Sequence, residues 1–238
     1  MARLISSASN PRLKLVRKLG TRRQRDQLGL LVCEGEDLVT AALEGGWELE
    51  FALFDADRPS ELELPRADRV EPKLFAAVSR LGHSPRVIAV FRAQKPERER
   101  PQLGLELWRV RDPGNVGTLA RAADAFGGYL ALSEGCADPF GPKSLRASTG
   151  SIFRVPLCEF APQGCVALLS HGAPPLSELE PSHSRFVLGS EREGLHEEVV
   201  ASCAVTATIP LNGSAESLNV AMAGTIALYD WRRRHGAG

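Results

Sequence analysis

The stretch Ile209-Pro210-Leu211-Asn212-Gly213-Ser214-Ala215-Glu216-Ser217-Leu218-Asn219-Val220-Ala221 joins a short apolar segment, residues 205–209, to a long apolar-periodic one that runs to Arg234. It reads as a strand, a loop bearing Pro and Gly, and a helix start. Ser214, Ser217 and Asn219 are each of a type that caps or hydrogen-bonds an opening helical turn. A loop of this kind gathers unpaired backbone N–H and C=O groups into one small volume, which suits a polar ligand. Taken alone, the stretch is equally a well-capped helix following a strand.

Two other segments repeat the design. Arg111-Asp112-Pro113-Gly114-Asn115-Val116-Gly117-Thr118-Leu119-Ala120-Arg121 and Phe186-Val187-Leu188-Gly189-Ser190-Glu191-Arg192-Glu193-Gly194-Leu195 are again an apolar run, a Gly-rich polar turn and a helix-like continuation. Taken in order, the three resemble the motifs of the TrmH/SpoU branch of the SPOUT methyltransferases. The matching residues are Asn115, Gly117 and Arg121, then Gly189, Glu191 and Gly194, then Pro210, Gly213, Ser217, Leu218 and Asn219.

The resemblance implies an α/β fold: a C-terminal parallel-sheet domain whose last segment threads through a loop as a trefoil knot. Packing rules would not predict one, because knots are nearly absent from proteins. It also implies S-adenosylmethionine as cofactor, RNA as substrate, the ribose 2′-hydroxyl as acceptor, and a homodimer with arginines shared across the interface. The implied cofactor site is Gly189, Glu191, Gly194, Ile209, Leu211, Gly213, Leu218 and Asn219. Its grip on adenine and ribose is mainly main-chain, and for Ile209 and Leu218 plain core packing is the alternative. The implied acceptor site is Asn115, Arg121, Ser217 and Asn219. Arginine is a poor base, so Arg121 either binds the target phosphate and eases alkoxide formation, or acts as base with a strongly perturbed charge. Ser217 would orient Arg121 or the phosphate, and Glu191 would orient Asn115.

The chain has 238 residues, which makes two domains a fair expectation. Its 43% hydrophobic and 24% charged content is that of an ordinary globular protein. No apolar run is long enough to cross a bilayer and no signal-peptide core opens the chain, so a cytoplasmic protein is expected. The five cysteines form no C-x-x-C pair. Buried free thiols are therefore expected, with no metal and no disulfide framework. No dinucleotide fingerprint or Walker A sequence is present, and Gly189-Ser190-Glu191 is not a hydrolase elbow. His171, His183 and His196 show no ligand spacing.

Formal net charge is zero, yet residues 1–27 hold eight basic side chains and one acid. A neutral chain can still carry a basic face for phosphates, although such a run is often only a solvated helix surface. Arg12, Arg22, Arg23 and Arg25 are the expected RNA contacts. A second basic run, Arg232-Arg233-Arg234-His235, ends the last helical pattern.

The first ninety residues read as helices at residues 11–19, 21–27, 36–44 and 72–80, and as strands at 30–33, 50–54, 67–70 and 86–91. This small α/β unit resembles the L30e-like substrate-binding domain of many family members, carried by residues 31–35 and by Leu38, Val39, Ala42 and Leu43. The charged segment 92–103 marks the boundary, giving an RNA substrate-binding domain at 1–95 and a methyltransferase domain at 103–238. Within the latter, residues 105–133 form a βαβ unit and hence a parallel sheet. Further strands are expected at 166–169, 185–188 and 205–209, with a last helix at 217–234. The reading is a methyltransferase acting on ribosomal RNA, because minimal tRNA-acting members generally lack the N-terminal domain. A tRNA 2′-O-methyltransferase, a non-catalytic RNA-binding protein and a ligand-binding α/β protein without RNA are the alternatives.

Overall fold

The computed structural model describes residues 3–81, 84–93 and 98–236. The chain divides into two compact units, Met1–Glu97 with Phe140–Leu145, and Arg98–Pro139 with Arg146–Gly238. Gln94–Glu97, the centre of the expected boundary segment, lies outside the described residues.

The first unit comprises β1 (Leu4–Ile5), α1 (Pro11–Lys18), α2 (Arg22–Leu28), β2 (Leu30–Glu34), α3 (Glu36–Glu44), β3 (Leu49–Asp55), β4 (Ala67–Val70), α4 (Pro72–Ala76) and β5 (Val87–Arg92). Its sheet order is β1-β4-β3-β5-β2. β1, β4 and β3 run parallel, and β5 is antiparallel to both neighbours. α1 starts where the Asn10 side chain accepts the Arg12 N–H at 2.9 Å with Pro11 in the first turn. It buries Leu13 and Val16, and Leu19 just beyond it, against Phe51, Leu53, Ile88 and Val90 of the sheet. α2 stops at Gly29, whose φ of 61° is the left-handed conformation that favours glycine. α4 ends at Ala76, well short of the expected Arg80. The Glu34 carboxylate accepts both the Arg80 N–H, at 2.9 Å, and the Ser79 hydroxyl, at 2.7 Å. It thereby takes the N–H that a continuing helix would direct to Ala76. β1 was not expected; two residues show no alternation, and the strand exists through its pairing with β4.

The second unit comprises β6 (Gly104–Leu107), α5 (Pro113–Ala125), β7 (Tyr129–Leu132), α6 (Pro142–Ser148, shared between the two units), β8 (Leu157–Glu159), β9 (Val166–Leu169), β10 (Arg185–Leu188), α7 (Glu197–Ser202), β11 (Val205–Thr208) and α8 (Val220–His235). All of its strand pairs are parallel, in the order β11-β9-β10-β6-β7-β8. β6 is buried throughout and β7 and β10 nearly so, as expected of a parallel sheet covered on both faces. Glu106, fully buried in β6, accepts from the Tyr129 hydroxyl at 2.6 Å, from Arg100 at 2.6 Å and from the Ala161 N–H at 2.8 Å. A buried carboxylate is tolerable only when satisfied in this way. Burial, then the bond to Glu106, pushes the Tyr129 phenol up from its ordinary range.

α5 begins at Pro113, inside the segment read as a Gly-rich polar turn, because Asp112 accepts the Asn115 N–H at 2.9 Å and Pro113 fills the first turn. α8 begins later than the expected Ser217. Its cap is Asn219, whose Oδ1 accepts the N–H groups of Ala221 (2.8 Å) and Met222 (3.4 Å), so 212–219 stays a loop. α8 lies close on α5 and β10. A Cβ on Gly224 would come within 2.5 Å of Leu119 and 2.7 Å of Leu188, so only glycine fits without a shift. The edge strand β8 was not expected.

Candidate active site

The loops after β6, β10 and β11 meet at the carboxyl edge of the parallel sheet, where open α/β folds hold ligands. The β10 loop is a closed turn. The Ser190 N–H donates to the Gly194 carbonyl at 3.2 Å, the Gly194 N–H donates back at 3.0 Å, and the Ser190 hydroxyl accepts the Glu193 N–H at 3.2 Å. Two glycines make this possible. Gly194 has a φ of 66°. A Cβ on Gly189 would sit 2.2 Å from the Gly194 carbonyl carbon. The turn projects Glu191 toward α5.

A chain of side-chain hydrogen bonds ties the three loops together. The Asn115 amide donates to Glu191 Oε1 at 2.8 Å. Its oxygen accepts from the Asn219 amide at 3.1 Å. The Asn219 oxygen in turn caps α8. Each amide thus donates in one direction and accepts in the other, and both orientations follow from the network.

Beside this network lies a cavity of about 610 Å³, lined by loop residues of β10 and β11 and by the start of α8. That volume is in the range of small-molecule sites, ~300–1,000 Å³. Of the residues expected to hold the cofactor, Gly189, Glu191, Gly194, Ile209, Leu211, Leu218 and Asn219 line it, and Gly213 does not. Ile209 and Leu218 are half-buried, which makes them wall residues instead of core. Ser217 lines the cavity and is exposed. The sequence reading missed the Leu168–His171 wall at the end of β9, where His171 Nδ1 and the Ser170 hydroxyl are hydrogen-bonded at 2.9 Å. Its only signal was the apolar strand itself, because the position of β9 between β10 and β11 is a property of sheet order.

Arg121 stands apart. Six residues of helix turn it ~120° from Asn115 around α5. It is exposed, with no hydrogen-bond or ion-pair partner among the described residues. Within one chain, therefore, Arg121 and Asn115 do not face the same space.

The expected RNA contacts divide. Arg23 is exposed and open, and Arg22 is exposed with a long ion pair to Asp26 at 3.6 Å. Arg12 is half-buried, pairs with Asp68 at 2.8 Å and lies over the Phe51 ring. Arg25 is a correction. It is only 7% exposed and donates to the Leu19 carbonyl at 2.8 Å, so its guanidinium is part of the interior and does not reach a phosphate.

All five cysteines are free; Cys33, Cys136 and Cys165 are buried, while Cys158 and Cys203 are half-buried. Burial pushes the Cys165 thiol up to about 12 and that of Cys203 to about 11.

Comparison with known proteins gives the family to which this fold belongs. Residues 102–229 match the SpoU rRNA Methylase family model, and residues 10–89 match the MRM3-like substrate binding domain. The chain belongs to the SpoU rRNA methylase family, whose members are S-adenosylmethionine-dependent RNA 2′-O-methyltransferases. It is 33% identical to the 23S rRNA (guanosine(2553)-2′-O)-methyltransferase RlmP of Bacillus subtilis, over 96% of this chain and 98% of that one. The AdoMet-bound rRNA methyltransferase of Sinorhizobium meliloti superposes with a TM-score of 0.85 at 26% identity, covering 99% of each chain. The SpoU methyltransferase AviRb of Streptomyces viridochromogenes, also with AdoMet, superposes at 0.83 with 28% identity, covering 96% of this chain and 99% of that one.

Proposed function

We propose that this chain methylates a ribose 2′-hydroxyl of ribosomal RNA, with the cofactor in the 610 Å³ cavity and the acceptor over the Asn115–Asn219 network. The observation that carries the reading is the hydrogen-bonded chain Glu191–Asn115–Asn219, which joins all three loops beside that cavity. The cavity fits the cofactor in size, and its β10 wall is a closed turn that glycine at 189 permits. Gly189, Ile209, Leu211 and Leu218 offer main-chain groups to the adenosine. Gly213 lies outside the wall. S-adenosylmethionine supplies the methyl group as an electrophile. The protein's own part is to hold the acceptor in line and to stabilise its developing negative charge.

Glu191 fixes the Asn115 amide, and the Asn115 oxygen fixes the Asn219 amide, so neither amide reorganises when the acceptor arrives. Ser217, on the cavity wall, orients the acceptor phosphate or Arg121. Arg121 supplies the positive charge, from a second copy of the chain. α8, which packs on α5, exposes Met222, Ile226 and Tyr229 at 59%, 37% and 56%, one helical stripe at i, i+4 and i+7. A homodimer seated on that stripe covers it and brings the open Arg121 of one copy to the acceptor site of the other. The C-terminal segment is threaded as a trefoil knot in this reading.

The test is transfer of labelled methyl from S-adenosylmethionine to unmodified ribosomal RNA, with the product ribose identified by mass spectrometry. S-adenosylhomocysteine should raise the thermal midpoint, as any native-state ligand does. No methyl transfer to ribosomal RNA, with transfer to tRNA instead, would replace the substrate. No thermal shift at saturating cofactor would remove the cavity assignment. Replacing Tyr229 by Asp should give a monomer in light scattering and abolish transfer.

A further inference from the structure

We propose that Arg109 contacts the RNA beside the acceptor ribose, its guanidinium forming an open surface on which a base of the target strand stacks; this rests on the methyltransferase reading above. Arg109 has a φ of 51°, the left-handed region that L residues rarely adopt and glycine adopts freely. The surrounding backbone imposes it. The Trp108 N–H donates to the Leu188 carbonyl at 2.8 Å, the Arg109 N–H to the Ser133 hydroxyl at 3.0 Å, and the Ala137 N–H to the Val110 carbonyl at 2.8 Å. Glycine would meet this geometry without strain, yet the position carries the longest cationic side chain. Strain of this kind marks functional sites when the structure around it over-determines it.

The side chain is equally fixed and equally open. Its guanidinium lies over the Trp108 ring, 5.1 Å from the centroid. Trp108 is held in turn by Phe160, at 5.6 Å between ring centroids, and packs on a cluster of Cys165, Val187 and Val199. Arg109 is exposed, and its guanidinium has no hydrogen bond or ion pair among the described residues. Nearby Arg111, by contrast, pairs with Glu193 at 3.6 Å. The location is specific. Leu107 is in register with Leu188, so Arg109 stands at the carboxyl edge directly beside the Gly189 turn. A ribose presented to the cavity needs its own base, or a neighbour's, drawn out of the RNA stack. Guanidinium planes and aromatic rings receive such bases in single-stranded RNA recognition.

The test compares wild type, Arg109→Gly and Arg109→Lys on in-vitro transcribed, unmodified 23S rRNA. Glycine suits the backbone there, so Arg109→Gly should keep its thermal midpoint and its affinity for S-adenosylhomocysteine. Its KM for RNA should rise by about tenfold or more, as expected for loss of one stacked base, with kcat within about twofold. Arg109→Lys should not restore the KM, and the salt dependence of RNA binding should be the same in all three. An unchanged KM in Arg109→Gly would overturn the proposal. So would recovery in Arg109→Lys together with a salt slope lower by about one in Arg109→Gly, which is the mark of a phosphate contact. A wild-type protein that methylates no RNA would remove the function reading instead; direct RNA affinities of the same variants would then still decide the role of Arg109.

Discussion

Arg22 and Arg23 on α2 stand in solvent, whereas Arg232 and Arg234 on α8 are taken up by the protein's own backbone. Arg232 donates to the Phe126 carbonyl at 2.6 Å and to that of Gly127 at 3.4 Å, satisfying the carbonyl end of α5. Arg234 donates to the Leu179 carbonyl at 2.7 Å and pairs with Asp230 at 2.7 Å. His235 stacks on Trp231 at 4.0 Å and donates its Nδ1–H to the Trp231 carbonyl at 2.8 Å. Of the three arginines in that run, Arg233 alone is exposed, and it too meets Asp230, at 3.1 Å. Two basic runs of similar appearance therefore do different work. A guanidinium whose donors already meet carbonyls stabilises the fold, and an exposed one such as that of Arg23 is available to phosphate. Arg121 and Arg109 in the methyltransferase unit belong with the open group, and Arg25 belongs with the engaged group despite its place in the basic N-terminal segment.

Removing the open arginine that the proposed homodimer brings to the site should have the largest effect. Arg121→Ala should lower single-turnover methyl transfer by about 10²-fold or more, as for loss of a fixed group at a developing negative charge. Cofactor affinity and thermal midpoint should be unchanged, and Arg121→Lys should rescue poorly because it lacks the planar two-pronged contact. Transfer at the wild-type rate in Arg121→Ala would place Arg121 with the inert surface cations.

Next comes the engaged arginine of the basic segment. Arg25→Ala leaves the buried Leu19 carbonyl without its donor and should lower stability by about 1–3 kcal/mol in urea unfolding. The salt slope of RNA binding should not move. A lower slope with unaltered stability would reverse the assignment.

Arg232→Ala should be milder, a loss of about 1 kcal/mol from the α5 carbonyl end, with RNA affinity unaffected. Urea midpoints and filter binding on one preparation would separate these outcomes.

The smallest effect on the fold should come from the double variant Arg22→Ala/Arg23→Ala. Its stability should match wild type, while log affinity against log salt should flatten by about 1.4 for two contacts to single-stranded RNA. An unchanged slope would return α2 to the status of a solvated helix face.

Much of the molecule was legible from local pattern. α3, β4, β7, β9 and β10 begin and end where apolar runs, Gly-Gly stops and Pro starts put them. The three motif loops were legible in kind, although the helices after two of them start elsewhere than expected, α5 at Pro113 and α8 at Val220. Less legible was anything decided by phase or pairing. Because Asp112 starts α5 at Pro113, the turn of helix carrying Asn115 is already wound, and that sets Arg121 on another side. β1 and β8 are too short to show a period and exist through their partners. α2 has no apolar stripe from which the inward turn of Arg25 could be inferred.

The sequence by itself determined the parallel βαβ core and the three polar loops, because caps, turns and hydrophobic period act over a few residues. The resemblance already implied Glu191 beside Asn115, and only the tertiary structure decided that Asn115 also meets Asn219, 104 residues away. It alone also put the end of β9 into the cavity wall and sorted the arginines into engaged and open. Those outcomes depend on which strands become neighbours and on which face of each helix is buried, and both are settled by packing of the whole chain.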